Sequence, residues 1–462
     1  MIEIKTVKKF VENADSIDFD DFISSVIEKC EKIQSKYQPF ITINKNHAKP
    51  KKGLIHALPV SVKDCICTKD LQSTAGSKIL EGYIPPFDAT CITKIKQQGG
   101  VIIGKTTQDE FGFGTFNVNS KYAIPKNPFD VERSCGGSSG GAGCITAAAD
   151  FPHIAIAEST GGSITSPAAF TGTYGLTPTY GRVSRYGLID YANSMDKIGV
   201  IAKSTYDIAL MLSIISGYDP LDSTSADLAD QDFTKFIGKD IKGMKIAVPK
   251  EYFGEGVDKK IADLIWKKIK QLESLGASYE EISLPMTKYA IPAYYIIAVS
   301  EASTNLAKLC GLRYGLHKQL SGNFDEYFAS VRSDGFGEEA KRRIILGTYA
   351  RMAGFRDAYY LKALKIRTLI IQEFKKAFKS FDIIAAPSMP VLPLKFSEIE
   401  NLKPIENYMM DILTIAPNMA GIPMISVPAG LINGLPAGLH LMADHFNEAA
   451  LIKASSSLEG LE

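Results

Sequence analysis

The sequence has no excess of either charge and no long hydrophobic run. Its 462 residues include 52 Lys and Arg against 51 Asp and Glu, which gives a net charge of +1. This balance argues against a chain that binds nucleic acid by itself, because such binding needs a broad basic face. No apolar run approaches the about 20 residues that span a bilayer, so we expect no membrane segment.

Paired cysteine spacings are also missing. The seven cysteines are odd in number and scattered along the chain, which is typical of reduced thiols. The first ten residues contain no apolar signal-peptide region, so we expect a cytoplasmic protein. Cys65 and Cys67 have no second pair and there is no HExxH motif, so we expect no metal site.

Two clusters rich in glycine and serine stand out, at residues 136–141 (GGSSGG) and 160–163 (TGGS). Neither ends in the Gly-Lys-[Ser/Thr] of a phosphate loop, and neither contains GxGxxG. No GxSxG motif is present, and His153, near Ser163 in sequence, has no evident acid to orient it. These absences disfavour nucleotide binding and a Ser-His-Asp hydrolase.

A serine activated by a lysine remains. A serine hydroxyl is a weak nucleophile until a base takes its proton, and a buried lysine can be that base. Lys63 ends an apolar segment that contains Leu58, Val60 and Val62. The consecutive N–H groups of residues 160–163 are candidates for an oxyanion hole. From the residues alone an alternative stays open, in which the glycines only shape turns and Lys63 forms a surface ion pair.

Helical and strand patterns alternate along the chain, which favours an α/β fold. Hydrophobic spacing predicts helices at 17–36, 257–275 and about 355–379, and a helix followed by a strand over 90–107. We expect strands ending at Lys63, at 154–157, within FDIIAAP, and as a final pair joined by Gly434-Leu435-Pro436. No internal repeat or long linker divides the chain.

Three segments resemble the amidase signature family: PVSVKD at 59–64, GGSSGG at 136–141 and STGGSITSPAAFTG at 159–172. The resemblance implies a single domain over 1–462, an α/β/α sandwich around a mixed central β-sheet, with a peripheral helical stretch at about 1–50. It also implies catalytic roles. Ser163 would form the acyl-enzyme, Ser138 would relay its proton after a cis peptide bond, and Lys63 would be the general base.

Four further segments are similar to the glutaminase subunits of tRNA-dependent amidotransferases within that family, at 177–200, 294–307, 335–349 and 409–430. This similarity implies that glutamine is hydrolysed to ammonia, which a partner uses to convert Glu-tRNA(Gln) to Gln-tRNA(Gln). It implies a heterotrimer with the B and C subunits of such an amidotransferase. The partner would hold the charged tRNA and use ATP and Mg, with no cofactor in this chain.

The same similarity implies a glutamine pocket. Arg343 would bind the α-carboxylate, Asp411 the α-ammonium group, and Tyr294 would line the pocket. From the residues alone, Arg343 belongs to a solvated Lys341-Arg342-Arg343 run on a helix, and only the motif distinguishes it from Arg342.

The sequence departs from the family at two positions beside the nucleophile. The family usually has an Asp four residues before it and an Arg two after it, where this chain has Ser159 and Thr165. Losing one member of a buried pair strands a charge, whereas losing both need not. We therefore expect the two changes to be coupled and the site to be intact.

Three functions follow from these patterns. The first is the glutaminase subunit of a tRNA-dependent amidotransferase. The second is a stand-alone amidase that acts on another amide, for which Arg343 and Asp411 would have no amino-acid head group to bind. The third is a catalytically silent subunit that stabilises its partner.

Overall fold

The fold is described from a computed structural model that covers residues 5–14 and 17–460. Thirteen strands and fifteen α-helices alternate through this part of the chain. The strands are β1 Phe40–Ile43, β2 Pro59–Lys63, β3 Val101–Thr106, β4 Lys126–Asn127, β5 Asp130–Ser134, β6 Ile154–Ser159, β7 Tyr174–Thr177, β8 Lys197–Ala202, β9 Lys245–Pro249, β10 Ser278–Ile282, β11 Ile383–Pro387, β12 Met424–Ile432 and β13 Leu435–Ala443.

Several helices begin at a polar cap, as α2 does at Asp18, or end at a left-handed residue, as α5 does at Gly172. The helices are α1 Val7–Glu12, α2 Phe19–Tyr37, α3 Thr90–Gln97, α4 Gly140–Ala148, α5 Thr165–Thr171, α6 Thr205–Ile215, α7 Lys259–Ser274, α8 Ala290–Asn305, α9 Phe324–Gly335, α10 Glu338–Arg351, α11 Lys362–Ala377, α12 Phe396–Glu400, α13 Pro404–Met409, α14 Ile412–Ala420 and α15 Glu448–Leu458.

Eleven strands form one mixed sheet in the order β1-β3-β2-β6-β8-β7-β12-β13-β11-β9-β10. Strands β3, β2 and β6 are mutually parallel, whereas β8, β7, β12 and β13 run antiparallel to their neighbours. Helices α4 and α5 pack together on the sheet, and α6, α7 and α15 form a second layer. The predicted α/β fold with a mixed central sheet is confirmed.

Parallel strands β2 and β6 are neighbours, so their carboxyl ends lie at the same edge of the sheet. Lys63 ends β2, and the loop that contains Ser163 follows β6. The sheet order therefore places the predicted base beside the predicted nucleophile, although 100 residues separate them in the sequence. A separate cluster of helices, in which α8 packs on α10, α11 and α14, lies next to this edge.

Some predicted elements differ from the structure. The predicted peripheral stretch at about 1–50 contains helices α1 and α2, but its residues 40–43 form β1 and join the main sheet beside β3. Residues 1–4 and 15–16 of that stretch lie outside the described residues. The helix predicted at about 355–379 is a π-helical turn at Asp357–Leu361 followed by α11.

No helix in the described ranges is long and apolar enough to cross a membrane.

Candidate active site

Lys63 is fully buried at the end of β2. Its Nζ donates hydrogen bonds to Ser138 Oγ at 2.8 Å, to the Glu158 backbone oxygen at 2.9 Å and to Glu158 Oε2 at 2.8 Å. The surface ion pair that the residues alone left open for Lys63 is therefore wrong. The lysine instead joins a serine hydroxyl to a buried carboxylate.

The first glycine cluster brings Ser138 to this lysine. Gly136 has a φ of +75°, a conformation that L side chains rarely adopt, and the Gly137–Ser138 peptide bond is cis. A Cβ on Gly137 would lie 2.4 Å from Asp109 Oδ2, so only glycine fits there. The backbone N–H of Asp109 donates to the Ser138 carbonyl oxygen at 3.2 Å. These contacts fix the position of the serine whose hydroxyl meets Lys63.

Ser163 lies in the loop between β6 and α5. It is 7% exposed, whereas Lys63 and Ser138 are 0% exposed, so Ser163 is the one of the three that a substrate can reach. The N–H of Ser139 donates to the Ser163 carbonyl oxygen at 3.2 Å, which ties the two glycine clusters together. The structure thus brings all three predicted catalytic residues to one place.

The backbone amides next to Ser163 take no part in the hydrogen bonds of the sheet or the helices. Among the residues that the structure covers, none accepts a hydrogen bond from the N–H groups of Gly161, Gly162 or Ser163. A Cβ on Gly162 would lie 2.3 Å from Thr414 Oγ1, and one on Gly161 would lie 3.1 Å from the Tyr294 hydroxyl. The glycines let α8 and α14 approach this loop, and the free N–H groups remain candidates for an oxyanion hole.

Glu158 is the site residue that the sequence patterns did not indicate. It is 3% exposed and forms a buried ion pair with Lys63. Its Oε1 lies 2.8 Å from Thr160 Oγ1, which in turn lies 2.8 Å from Oδ1 of the fully buried Asp196. The available signal was an acidic residue inside the apolar run IAIAE, because carboxylates are rarely buried without a partner.

Ser159 and Thr165, the two departures from the family, are both fully buried. The Ser159 hydroxyl donates to the Gly161 carbonyl oxygen at 3.1 Å, and the Thr165 hydroxyl donates to the Gly162 carbonyl oxygen at 3.3 Å. Two neutral hydroxyls therefore support the loop. Neither position leaves a buried charge without a partner.

Arg343 is 3% exposed on α10, inside a box of aromatic rings. Its guanidinium carbon lies 5.0–5.7 Å from the ring centroids of Phe113, Tyr191, Tyr295 and Tyr408. Its Nε donates to Glu339 Oε1 at 2.8 Å, and its Nη1 donates to the Tyr191 hydroxyl. Within the described chain its Nη2 has no acceptor. The solvated run suggested by the residues alone is wrong for Arg343, while Arg342 lies on the surface.

Asp411 and Tyr294 lie on the elements next to this box. Asp411 Oδ2 accepts hydrogen bonds from the Thr115 hydroxyl at 2.9 Å and the Tyr295 hydroxyl at 3.2 Å. Burial raises the pKa of the Asp411 carboxyl to about 6, although these hydrogen bonds and Arg343 oppose the shift. The Tyr294 and Tyr295 rings meet at 5.0 Å. Tyr295 thus has Arg343 on its face and Asp411 at its hydroxyl.

A cavity of about 250 Å³ opens between α10, α13 and the loop after β3. Its lining residues are Phe113, Gly114, Thr115, Asn119, Glu338, Glu339, Arg342, Arg343, Leu402, Pro404, Asn407 and Tyr408. The same loop reaches the Ser138 hydroxyl, since a Cβ on Gly112 would lie 3.4 Å from Ser138 Oγ. The arginine pocket and the lysine-serine site therefore share the segment that contains Gly112 and Phe113.

Other titratable groups lie elsewhere. The ring of His153 is buried against Ser61 Oγ at 2.9 Å, and burial lowers its pKa to about 3. It does not face Ser163. Over residues 5–14 and 17–460, no group of three or more His, Cys, Asp and Glu side chains is placed to hold a metal ion.

Comparisons with known proteins agree with this geometry. The family model described as Amidase matches residues 5–452. The chain is 49% identical over 407 residues to the A subunit of a glutamyl-tRNA(Gln) amidotransferase from Methanococcoides burtonii, covering 88% of this chain and 85% of that protein. It is 44% identical over 472 residues to the protein of the same name from Persephonella marina, covering 99% and 97%.

A solved structure shows the same fold. The crystal structure of the glutamyl-tRNA(Gln) amidotransferase A subunit from Thermotoga maritima superposes with a TM-score of 0.85 at 35% identity, covering 98% of this chain and 94% of that one. With a family model that matches almost the whole chain and relatives this similar, the chain belongs to the amidase family.

Proposed function

We propose that this chain is the glutaminase of a tRNA-dependent amidotransferase. One observation carries the proposal: a buried lysine Nζ lies 2.8 Å from Ser138 Oγ, next to a reachable Ser163 and a pocket that contains a buried arginine. The reaction is the hydrolysis of the glutamine side-chain amide to glutamate and ammonia.

The hydrolysis proceeds in two steps. In the first, neutral Lys63 takes a proton from Ser138, which takes the proton of Ser163, whose Oγ attacks the amide carbon. The proton returns to the leaving nitrogen, which departs as ammonia and leaves a glutamyl ester on Ser163. In the second step water, activated by the same groups, attacks the ester and regenerates the serine.

The free amides of the 160–163 loop support both steps. Each step passes through a tetrahedral intermediate with a negative oxygen. Donors that are already oriented towards that oxygen are worth about 3 kcal/mol each in activation free energy. In this proposal the donors are the N–H groups of Thr160, Gly161, Gly162 and Ser163, which have no acceptor among the described residues.

The arginine pocket supports glutamine as the substrate. The unused Nη2 of Arg343 is available to an α-carboxylate, and Asp411 is available to an α-ammonium group. Tyr294, whose hydroxyl lies near Gly161, bridges these recognition groups and the nucleophile loop. A simple amide has neither charged group and would not use this pocket.

The names of the relatives support a complex as the setting. In this proposal the ammonia passes to the B subunit of the amidotransferase, and a C subunit completes a heterotrimer in the cytoplasm. That partner holds Glu-tRNA(Gln) and uses ATP and Mg to form Gln-tRNA(Gln), and this chain itself uses no cofactor. The near-neutral charge of this chain agrees with tRNA binding elsewhere.

Ammonia release from glutamine tests the proposal, measured for this chain alone and with its partner subunits. Ser163→Ala should lower the release by at least about 10³-fold, because no acyl-enzyme can form. Ser166→Ala is a matched control, since its buried hydroxyl has no hydrogen-bond partner in the described structure.

Three other outcomes would contradict the proposed glutaminase function. Release from simple amides but not from glutamine, independent of the partners, would indicate a stand-alone amidase. No release from any amide, with a stable complex still forming, would indicate a structural subunit. Equal activity of the Ser163→Ala variant would show that another group is the nucleophile.

A further inference from the structure

Two buried carboxyl groups beside Lys63 share a single hydroxyl. Thr160 Oγ1 lies 2.8 Å from Glu158 Oε1 and 2.8 Å from Asp196 Oδ1. A hydroxyl has one hydrogen, so it donates to only one of these oxygens. The second contact is a hydrogen bond only when the other carboxyl group brings a proton of its own. The site therefore holds one proton more than its charges alone suggest.

That extra proton belongs on Asp196. Burial raises the pKa of Asp196 well above its usual range, and the nearby charge of Glu158 raises it further. Glu158 Oε2, by contrast, faces the Lys63 ammonium group at 2.8 Å. A protonated Asp196 donates to Thr160 Oγ1, which donates to Glu158 Oε1. Its other oxygen, Oδ2, accepts the N–H group of Tyr191 at 2.9 Å, and the N–H group of Ala192 lies 3.0 Å from both Oδ1 and Oδ2.

The resting ammonium group of Lys63 has no room for another proton. Its three hydrogens go to Ser138 Oγ, the Glu158 carbonyl oxygen and Glu158 Oε2. Lys63 must lose one of them before it can accept a proton from Ser138. Glu158 Oε2 is the acceptor already in contact.

We propose that Glu158 is a positioning residue that takes and holds a proton of Lys63, and so makes Lys63 the neutral base. This inference rests on the proposed function. The transfer breaks an N–H bond of Lys63 and forms an O–H bond on Glu158 Oε2, so a buried ion pair becomes a neutral pair with no change in total charge. Desolvation opposes buried ions, which brings the two forms close in free energy.

The remaining charged groups around Glu158 do not replace it. Asp109, from the loop after β3, is the next carboxyl group, and burial raises its pKa to about 6. Its two oxygens accept the backbone N–H groups of Asn117 and Asn119 and make no hydrogen bond to Lys63. Cys65 follows β2, and burial keeps its thiol protonated by raising its pKa well above the usual value. Asp196 and Tyr191 face the site from the loop before β8, and Arg343 faces Asp109 from α10.

The pH profile of kcat/KM tests the proposal in Glu158→Gln. In the wild type the active pair carries one proton in total, so activity falls only when the pair gains a second one. In the variant, activity requires Lys63 to lose its proton to solvent. The acidic limb of the kcat/KM profile should therefore lie about 1–3 pH units higher in the variant than in the wild type. Above that limb, kcat/KM of the variant should recover.

Asp196→Asn is the matched control. The amide nitrogen of asparagine can donate to Thr160 Oγ1 as the protonated carboxyl does, so the limb should stay in place. In addition, infrared spectra should show a protonated carboxyl band at neutral pH that this variant lacks. A missing band in the wild type would overturn the proton count.

Two results would overturn the role of Glu158. If Glu158→Gln lowers kcat/KM equally at every pH, Glu158 is only a structural partner of Lys63. If the acidic limb of the profile moves to lower pH in this variant, Glu158 holds Lys63 in the charged form. A second measurement distinguishes failure of the Glu158 proposal from failure of the proposed function. It is the rate at which a fluorophosphonate inactivates Ser163, followed over the same pH range. If the wild type releases no ammonia but is inactivated, glutamine hydrolysis fails while the profile still reports on Glu158. No inactivation at any pH overturns both.

Discussion

Two lysines on neighbouring strands, Lys63 on β2 and Lys105 on β3, are both fully buried. Lys63 Nζ meets the Ser138 hydroxyl and the Glu158 carboxylate. Lys105 Nζ donates to the Ile66 carbonyl oxygen and, at 2.7 Å, to the Ser73 hydroxyl. Burial lowers the pKa of Lys105, yet no described nucleophile of the site is in contact with it.

The difference shows that burial does not make a lysine a base. Each ammonium group has its hydrogens bound to oxygen, as a buried cation must. Of these two lysines, only Lys63 joins a serine next to the Ser163 loop, Ser138, to a buried carboxylate, Glu158. Lys105 joins the segments after β2 to the sheet, which is a role in stability.

Replacing each lysine by methionine should give the largest contrast. Lys63→Met should lower kcat by at least about 10³-fold, because the proposed general base is lost. Lys105→Met should keep kcat within several-fold but lower the free energy of unfolding by about 2–4 kcal/mol, since buried oxygens lose their donor. Ammonia release and urea denaturation measure the two effects.

A control keeps Lys63→Met interpretable. Removing the lysine strands the buried Glu158 carboxylate, so the double variant with Glu158→Gln should fold better and stay inactive. An inactive but folded Lys105→Met protein would break the comparison.

A third buried cation, Arg343, extends the comparison to substrate binding. Arg343→Lys keeps the charge but loses the planar fork, so kcat/KM for glutamine should fall about 10²-fold. Hydrolysis of 4-aminobutanamide, which has no carboxylate, should be unchanged. Equal losses with both substrates would make Arg343 a structural cation like Lys105.

Charged side chains placed at positions 159 and 165, on either side of Ser163, should have coupled effects on stability. Ser159→Asp and Thr165→Arg each place one unpaired charge in a fully buried position, and each should be destabilising. The double variant should recover about 1–3 kcal/mol relative to the sum of the singles. Thermal unfolding of all four proteins measures the cycle, and strictly additive effects would disprove the coupling hypothesis.

The smallest expected effect is the pH dependence of glutamine binding. The pKa of Asp411 is raised to about 6, so its carboxyl is neutral below that pH and charged above it. The KM for glutamine should therefore fall about fivefold as the pH rises from 5 to 6. Asp411→Asn should flatten this dependence. Glutaramate, which lacks the α-ammonium group, should show none with either protein, and a matching slope with it would exclude Asp411 as the ammonium site.

Local patterns predicted most of the elements around the site. The helix and strand at 90–107 are α3 and β3, and the strand that ends at Lys63 is β2. Such elements follow from hydrophobic period and from glycine stops, which are local properties. β1 was not predicted, because four residues at an edge have little pattern and become a strand only by pairing with β3.

The partners of buried charges were not predictable in the same way. Arg343 belongs to a basic run that is typical of a solvated helix face, and only the rings packed around it show that it is buried. Glu158 lies in a strand, and nothing near it in sequence indicates Lys63 as its partner. A motif indicated the two proposed catalytic serines, whereas Glu158, the buried carboxylate in contact with Lys63, became visible only in the fold.

The sequence by itself determined the α/β class and the family, and it singled out the lysine and the two serines that the fold brings together, because short motifs and hydrophobic periods are read within a few residues. Only the tertiary structure decided which of the buried lysines meets a serine, that Glu158 and Asp196 share a hydroxyl beside it, and that Arg343 lies in an aromatic box. The physical reason is that a buried charge is stabilised by whatever the fold brings within hydrogen-bonding distance, and those partners come from distant strands and helices.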